Sequence, residues 1–159
     1  MGIGGDGGSK WLNQREHQAW RTFITASTLL SRVLDQQLRT DAGLSHVQYG
    51  ILTRLADIPD LSMRMLALAE ALGLTKSGLT YQIVQLEREG LVSRRASSTD
   101  DRGVIATITP LGMEVMGRAA SGHARLVREL VIDALTPQQL EALGEGFAEV
   151  QRRIVERET

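Results

Sequence analysis

The stretch LTKSGLTYQIVQLEREG, Leu74 to Gly90, decides the fold of this chain. Its apolar residues Leu79, Ile83 and Leu86 recur at helical steps, which predicts an amphipathic helix with Thr75 as its N-cap. The first turns of this helix carry small polar residues and a lysine, which offer little to bury in a core. The pattern therefore predicts that this end of the helix faces the surface of another molecule.

A short apolar helix precedes this stretch. Ser62 suits its N-cap, Leu66, Ala69 and Leu72 would form its buried stripe, and Gly73 would end it. Only a turn around Gly73 separates the two helices, and this spacing is typical of a helix-turn-helix.

The periodicity changes after the second helix of this pair. The segments Leu91 to Arg95 and Val104 to Thr109 are rich in residues that favour β-strands. The residues between them, Ser97 to Gly103, are polar and turn-prone, which predicts a β-hairpin. Helices followed by such a hairpin make a winged helix-turn-helix, whose second helix can lie in the major groove of DNA.

The polar helix end has the chemistry to contact DNA. Hydroxyls, amides and a lysine can bond to phosphates and bases, and a helix N-terminus attracts phosphate. Gln82 suits adenine, Lys76 suits guanine or phosphate, and Thr80 suits a thymine methyl group. The alternative is an ordinary solvated face of a helical bundle. The predicted DNA-binding residues of this recognition helix are Thr75, Lys76, Ser77, Thr80, Tyr81, Gln82 and Gln85, with Ser62 and Arg64 as further phosphate contacts.

The predicted hairpin carries a second group of candidate DNA-binding residues. An arginine on a protruding hairpin can enter the minor groove, and Asp100 is close enough in sequence to orient the guanidinium of Arg102. The alternative is a surface Asp–Arg pair of little consequence. Acidic neighbours such as Glu87 and Asp101 nearly cancel the basic charge. The predicted wing contacts are Arg94, Arg95, Asp100 and Arg102.

Long helices flank the predicted DNA-binding region. The first runs from Trp11 to Thr40 without glycine or proline, the second starts after Ser45, and a fifth starts at Pro110. The sixth follows Thr136 and carries an apolar seam of coiled-coil type, formed by Leu140, Leu143, Phe147, Val150 and Ile154. Because a wet apolar stripe is costly, this seam must pack on other helices of the chain, on a second subunit, or on both.

Composition limits the alternatives. The 159 residues fit one domain with or without an oligomerising extension, and the net charge of -1 means that any nucleic-acid footprint must be local. The chain has no cysteine, and its three histidines fall on three predicted helices, so neither a metal site nor a cofactor is expected. It has no nucleophile elbow, phosphate loop or paired catalytic carboxylates, so it is not expected to be an enzyme. It has no long apolar run either, which predicts a cytoplasmic protein without a membrane partner.

From Leu66 to Gly112 the chain resembles the MarR family (multiple antibiotic resistance regulators), and the likeness extends over nearly the whole chain from Trp11 onward. The family's wing pattern D-x-R, followed by L-T and a glycine, is carried by Asp100, Arg102, Ile108, Thr109 and Gly112, with isoleucine for the usual leucine. Its helix-end phrase L-E-x-x-G-L-I/V-x-R appears from Leu86 to Arg94. Many members place an arginine where this chain has Tyr81 and a basic residue where it has Asp101.

The resemblance implies a mainly α fold with a winged helix-turn-helix, a small β-hairpin wing and a helical dimerisation stalk. The expected parts are a flexible tail at 1–10, a first dimerisation helix at 11–43, a DNA-binding lobe at 44–109 and C-terminal dimerisation helices at 110–159. Within the lobe, the recognition helix is expected at about 75–89 and the wing at about 92–109.

The resemblance also implies a function. The chain is expected to be a homodimeric repressor that binds double-stranded DNA at a palindromic operator, with release by a small anionic or phenolic effector. His17, Trp20 and Arg54 are the candidates to line an effector pocket, although Trp20 is more readily explained as core and the other two as solvated. The alternative is a winged helix that binds a protein and does not touch DNA.

Overall fold

The computed structural model describes residues 11–97 and 103–158, so the predicted tail at 1–10 and the hairpin residues 98–102 lie outside it. The chain divides into two compact units at the boundary between Val33 and Leu34, which falls inside the first helix. The elements, in chain order, are α1 (Gln14–Ala42), α2 (His46–Ala56), β1 (Ser62–Arg64), α3 (Met65–Leu72), α4 (Lys76–Arg88), β2 (Val92–Ala96), β3 (Val104–Ile108), α5 (Pro110–Val127), a π-helical turn (Arg128–Ile132) and α6 (Pro137–Glu158).

The predicted helix-turn-helix is confirmed. Gly73 ends α3 in the left-handed conformation, with φ of 62°, and Thr75 caps α4 by accepting the Gly78 N–H at 3.0 Å. Leu79, Ile83 and Leu86 are buried, with at most 1% of each side chain exposed. Their burial fixes which face of α4 is turned to the core and which is turned outward.

The prediction for the start of α3 is wrong. Ser62 is not an N-cap, because it belongs to β1 and pairs with Thr107 of β3. The N-cap is Arg64, whose side chain makes no capping bond. Since α3 starts only after this strand, its inward face carries Leu68 and Ala69, whereas Leu66 is 51% exposed.

The hairpin is confirmed as part of a three-stranded antiparallel sheet in the order β1-β3-β2. Val92 lies opposite Ile108, and Arg94 lies opposite Ala106. Directly opposed residues share one face of a sheet, and Val92, Ala106 and Ile108 are buried, so this face is turned to the core. Arg95 is therefore on the outer face of the hairpin, and Arg94 is on the inner face.

A compact junction joins α4, β2 and α5. The Thr109 hydroxyl donates to the carbonyl of Gly90 at 2.7 Å and accepts the Gly112 N–H at 3.0 Å. A Cβ atom on Gly112 would lie only 2.2 Å from the carbonyl oxygen of Leu91. The start of α5 is thus held against the end of α4 at a point that admits no side chain.

Two helices, α2 before the sheet in the chain and α6 after it, begin as the sequence predicts. Ser45 and Gln48 form a reciprocal capping box at the start of α2, and Thr136 and Gln139 exchange the same pair of bonds before α6. The core of the second unit gathers leucines and isoleucines from α2, α3 and α4, with Leu38 from the end of α1 and Leu44 from the turn after it.

Apolar side chains of α1 and α6 remain exposed in the single chain. Trp20 is 54% exposed, so the expectation that it is core is wrong for this protomer. The reason is that the N-terminal unit is described as one stretch of helix, and a lone helix cannot enclose a side chain. On α6, Phe147 is 39% exposed and Ile154 is 53% exposed. Within the described residues, no helix is long and apolar enough to cross a membrane.

An aromatic cluster joins α5 to α2. The ring of His123 lies 4.7 Å from Tyr49 and 6.0 Å from His46, measured between ring centroids, and its Nδ1 is buried without a hydrogen-bond partner. Burial lowers the pKa of His123 below its ordinary value of 6.5, and His46 lowers it further. Beside this cluster, the Asp35 carboxylate accepts the His46 N–H and the Arg39 guanidinium, and both bonds lower the pKa of Asp35.

The junction at Gly112 generates a stability prediction. We expect Gly112→Ala to lower the free energy of unfolding by about 1–3 kcal/mol, because the new methyl group must displace backbone. Gly117→Ala in the same helix is the matched control, since a Cβ there meets nothing within 4 Å. It should instead raise stability by about 0.5–1 kcal/mol through better helix propensity. Chemical denaturation measures both, and equal effects of the two variants would contradict the close approach.

The histidine cluster generates a pH prediction. Because the folded pKa of His123 is depressed, the unfolded chain binds more protons below pH 6.5. The free energy of unfolding should therefore fall as pH drops through and below this ordinary value of 6.5. Tyr49, whose pKa is raised, and Asp35, whose pKa is lowered, keep their charge states across this range. Denaturant titrations at several pH values should show a weaker pH dependence for His123→Phe, and an unchanged one would rule out this origin.

Candidate nucleic-acid interface

The outer face of α4 presents most of the residues predicted to contact DNA. Lys76, Ser77 and Thr80 are exposed, and Tyr81 is 64% exposed. Gln82 and Gln85 are partly buried, at the flanks of this face. The face is continuous along the first two turns of the helix because the aliphatic residues there, Leu79 and Ile83, are buried in the core.

Two of the hydroxyls at this helix end are already engaged in bonds within the helix. Thr75 accepts the Gly78 N–H, and Thr80 donates to the carbonyl of Lys76 at 2.8 Å. A Cβ atom on Gly78 would lie 2.9 Å from the Thr75 hydroxyl oxygen, so glycine leaves room for the cap. The partial positive charge of the helix N-terminus and the Lys76 ammonium make this end attractive to an anion.

The two described arginines of the hairpin differ in their surroundings. Arg95 lies on the outer face of β2 and is exposed. The Arg94 guanidinium is bound by Glu87 of α4, with Nη2 2.6 Å and Nε 3.0 Å from Oε2. The bonds from Arg94 hold the pKa of Glu87 below its ordinary range. The other two predicted wing residues, Asp100 and Arg102, lie outside the described residues.

The two predicted phosphate contacts lie on β1. Arg64 is exposed at the end of the strand, opposite Ile105 of β3, and Ser62 is partly buried. Arg64 immediately precedes α3, so the strand places its side chain beside the helix-turn-helix.

A groove lies between α3, the start of α4 and the hairpin, and the sequence pattern does not reveal it. Its volume is about 560 Å³, and its lining includes Leu66, Lys76, Thr80, Arg94 and Val104. Leu66 is exposed because it lines this groove, whereas an apolar residue in a short helix reads as core from sequence alone. No motif in the sequence signals such a surface feature.

The apolar seam predicted on the sixth helix is present, and all of it except the partly buried Leu140 is exposed. Leu143, Phe147, Val150 and Ile154 are each between 39% and 53% exposed, and they recur at steps of three and four along α6. Arg152 and Arg153 pair with Glu149 beside this seam. The seam is therefore an apolar stripe bordered by charge, which is the pattern of a helix that packs on another helix, of the same chain or of a second copy.

The candidate effector residues are all exposed. His17 and Trp20 lie on α1, and Arg54 lies in the last turn of α2. The residues belong to different units of the chain, with His17 and Trp20 in the N-terminal one.

The MarR family model matches residues 44–104, from the end of the turn before α2 to the start of β3. Sco3205, a MarR family transcriptional regulator from Streptomyces coelicolor solved in complex with DNA, is 42% identical, with 91% of this chain and 94% of that chain covered and a TM-score of 0.87. AbsC, a MarR family transcriptional regulator from the same organism, is 34% identical, with 93% and 99% covered and a TM-score of 0.87.

A further relative comes from Bacillus subtilis (strain 168). The uncharacterized HTH-type transcriptional regulator YfiV is 28% identical in an alignment of 133 positions that covers 77% of this chain and 81% of the relative. The fold and the exposed recognition helix define a winged helix-turn-helix protein. The chain belongs to the MarR family, and it is a transcriptional regulator rather than an enzyme.

Proposed function

We propose that this regulator binds double-stranded DNA as a homodimer and represses transcription from a palindromic operator. The observation that carries the proposal is the asymmetry of α4, which buries Leu79, Ile83 and Leu86 and presents a polar, lysine-bearing end to solvent. A relative that is 42% identical over nearly its whole length was solved in complex with DNA, which supports the same use of this face.

The docking follows from the geometry of the lobe. The N-terminal end of α4 enters the major groove, where Lys76 meets guanine or phosphate and Gln82 meets adenine. Thr80 offers its methyl group to thymine, since its hydroxyl is bonded to the helix backbone. Arg95, on the outer face of the hairpin, follows the adjacent minor groove or backbone.

The apolar stripe of α6 supports the homodimer. Burial of apolar area contributes roughly 25 cal/mol per Å², so exposure of four large side chains to water is unfavourable by several kcal/mol. Packing against a second copy would remove this unfavourable free energy. A two-fold axis through this stalk sets two recognition helices about one DNA turn apart, roughly 34 Å, so the operator is palindromic. A dimer bound there represses transcription by occupying the promoter.

Release by a small molecule stays a prediction of the family resemblance. His17, Trp20 and Arg54 are its candidate residues, and their exposure is compatible with contact to a ligand. A ligand releases the DNA only if it binds the arrangement of the dimer that does not fit DNA more tightly than the arrangement that does. Titration of phenolic acids into a preformed protein–DNA complex tests this, and substitution of Arg54 tests the location.

The second candidate function is a winged helix that binds a protein. The net charge of -1 favours it, because most DNA-binding surfaces are strongly basic. Salt dependence separates the two functions. For binding to DNA, the logarithm of the affinity should fall linearly with the logarithm of the salt concentration. The slope of this plot should steepen by nearly one for each phosphate that the protein neutralises.

DNA recognition generates a prediction that compares two side chains. The binding sites for this test are selected from random DNA. We expect Arg95→Ala to weaken binding to all sequences and to reduce the salt slope, the slope of log affinity against log salt concentration, by about one. Gln82→Ala should mainly reduce discrimination at one position, by about 1–3 kcal/mol. Arg118→Ala on α5 is the charge-matched control and should leave both quantities unchanged. Fluorescence anisotropy measures the affinities, and wild-type affinity in both test variants would refute the docking.

The dimer generates a separate prediction. Phe147→Glu places a charge in the centre of the apolar stripe and should convert the dimer to monomer, because an unpaired charge in an apolar interface is strongly unfavourable. Ala148→Glu adds the same charge at the next, exposed position of α6 and should leave the dimer intact. Sedimentation equilibrium at micromolar concentration measures the assembly. A monomeric wild-type protein would remove the stalk from the proposal.

A further inference from the structure

An ion pair joins the recognition helix to the hairpin. Glu87 lies in the last turn of α4, and Arg94 is the third residue of β2. The Nε and Nη2 atoms of Arg94 both donate to Oε2 of Glu87, while Oε1 accepts the backbone N–H of Arg94 at 3.2 Å. A single carboxylate thus holds both the side chain and the backbone of the strand.

The register of the sheet explains why this contact forms. Val92, Arg94 and Ala96 share the inner face of β2, and Val92 is buried against the core. Arg94 is the next inward residue, at the point where the hairpin leaves the core. Because its guanidinium is turned toward α4, it is directed away from the outer face that carries Arg95.

The pair is better suited to orientation than to stability. About a third of each side chain is exposed, at 33% for Arg94 and 35% for Glu87, and partly solvated ion pairs add little to the free energy of folding. The backbone bond and the two guanidinium bonds together restrict both the direction of the strand and its distance from the helix. The angle between two DNA-contacting elements depends on restraints of this kind.

We propose that Glu87 is a positioning residue for DNA binding, which holds the hairpin at a fixed angle to the recognition helix through Arg94. This inference rests on the proposed function. Arg94 then acts through Glu87, and the outward Arg95 is the described hairpin arginine that contacts DNA. In this arrangement Glu87 favours binding to DNA, although its negative charge repels phosphate.

The sign of one substitution tests the proposal. If Arg94 contacted DNA and Glu87 merely competed for it, removal of the Glu87 charge would leave the affinity unchanged or increase it. If Glu87 positions the hairpin, Glu87→Ala should weaken operator binding by about fivefold or more, in the range of couplings measured between contacting residues. The milder Glu87→Gln keeps the acceptor for the backbone N–H and should weaken binding less.

A double-mutant cycle completes the test. Arg94→Ala should reduce the affinity for DNA by a similar factor. The double variant Glu87→Ala with Arg94→Ala should lose no more affinity than the single variant with the larger loss. The charge exchange Glu87→Arg with Arg94→Glu should restore part of the affinity and of the salt slope. Because the exchange leaves the net charge unchanged, the sign of the Glu87→Ala effect separates positioning from electrostatics, and the unfolding midpoints separate it from a folding effect.

Controls separate positioning from other effects. Glu89→Ala removes the same charge two residues further along, where the side chain is exposed, and should not weaken binding. The thermal unfolding midpoint of every variant should stay within a few degrees of wild type. If the wild-type protein binds DNA and Glu87→Ala binds it equally or more tightly, the positioning role alone is overturned. A wild-type protein that binds no DNA from a random pool would overturn the proposed function and this inference with it.

Discussion

The packing of one face of α4 is the constraint on which the rest of the structure depends. Leu79, Ile83 and Leu86 are almost completely buried, and they leave the helix no other rotation about its axis. The polar end at Lys76 is therefore held outward by the core itself rather than by any contact of its own. The sheet, the groove and the hairpin are all positioned around this helix, and the proposed reading of DNA uses the face that remains.

The folding pattern of the lobe was predictable where signals are local. The caps at Ser45, Thr75 and Thr136 follow from side chains that bond within three residues, and the burial of Leu79 and Ile83 follows from helical periodicity. These features need no information from elsewhere in the chain, so the sequence alone is enough to predict them.

The errors arose where distant segments meet. A serine before an apolar run predicts a helix cap at Ser62, but pairing with Thr107, far along the chain, makes this residue part of a strand. That pairing delays the start of α3 and turns Leu66 into the groove. The bond between Glu87 and Arg94 was missed for the same reason, since it depends on the angle between a helix and a strand. The predicted DNA contacts remain predictions, because side-chain exposure alone does not identify a ligand.

The close approach at Gly112 has a consequence for comparing distant relatives. A Cβ there would overlap the carbonyl oxygen of Leu91, so no other amino acid fits without moving the backbone. Gly117 carries no such restriction, because a Cβ there would meet nothing within 4 Å, and this position can vary among relatives. Gly112 should therefore remain as a landmark in homologues whose remaining similarity has faded, and alignments anchored on it should place the boundary between the sheet and α5 correctly.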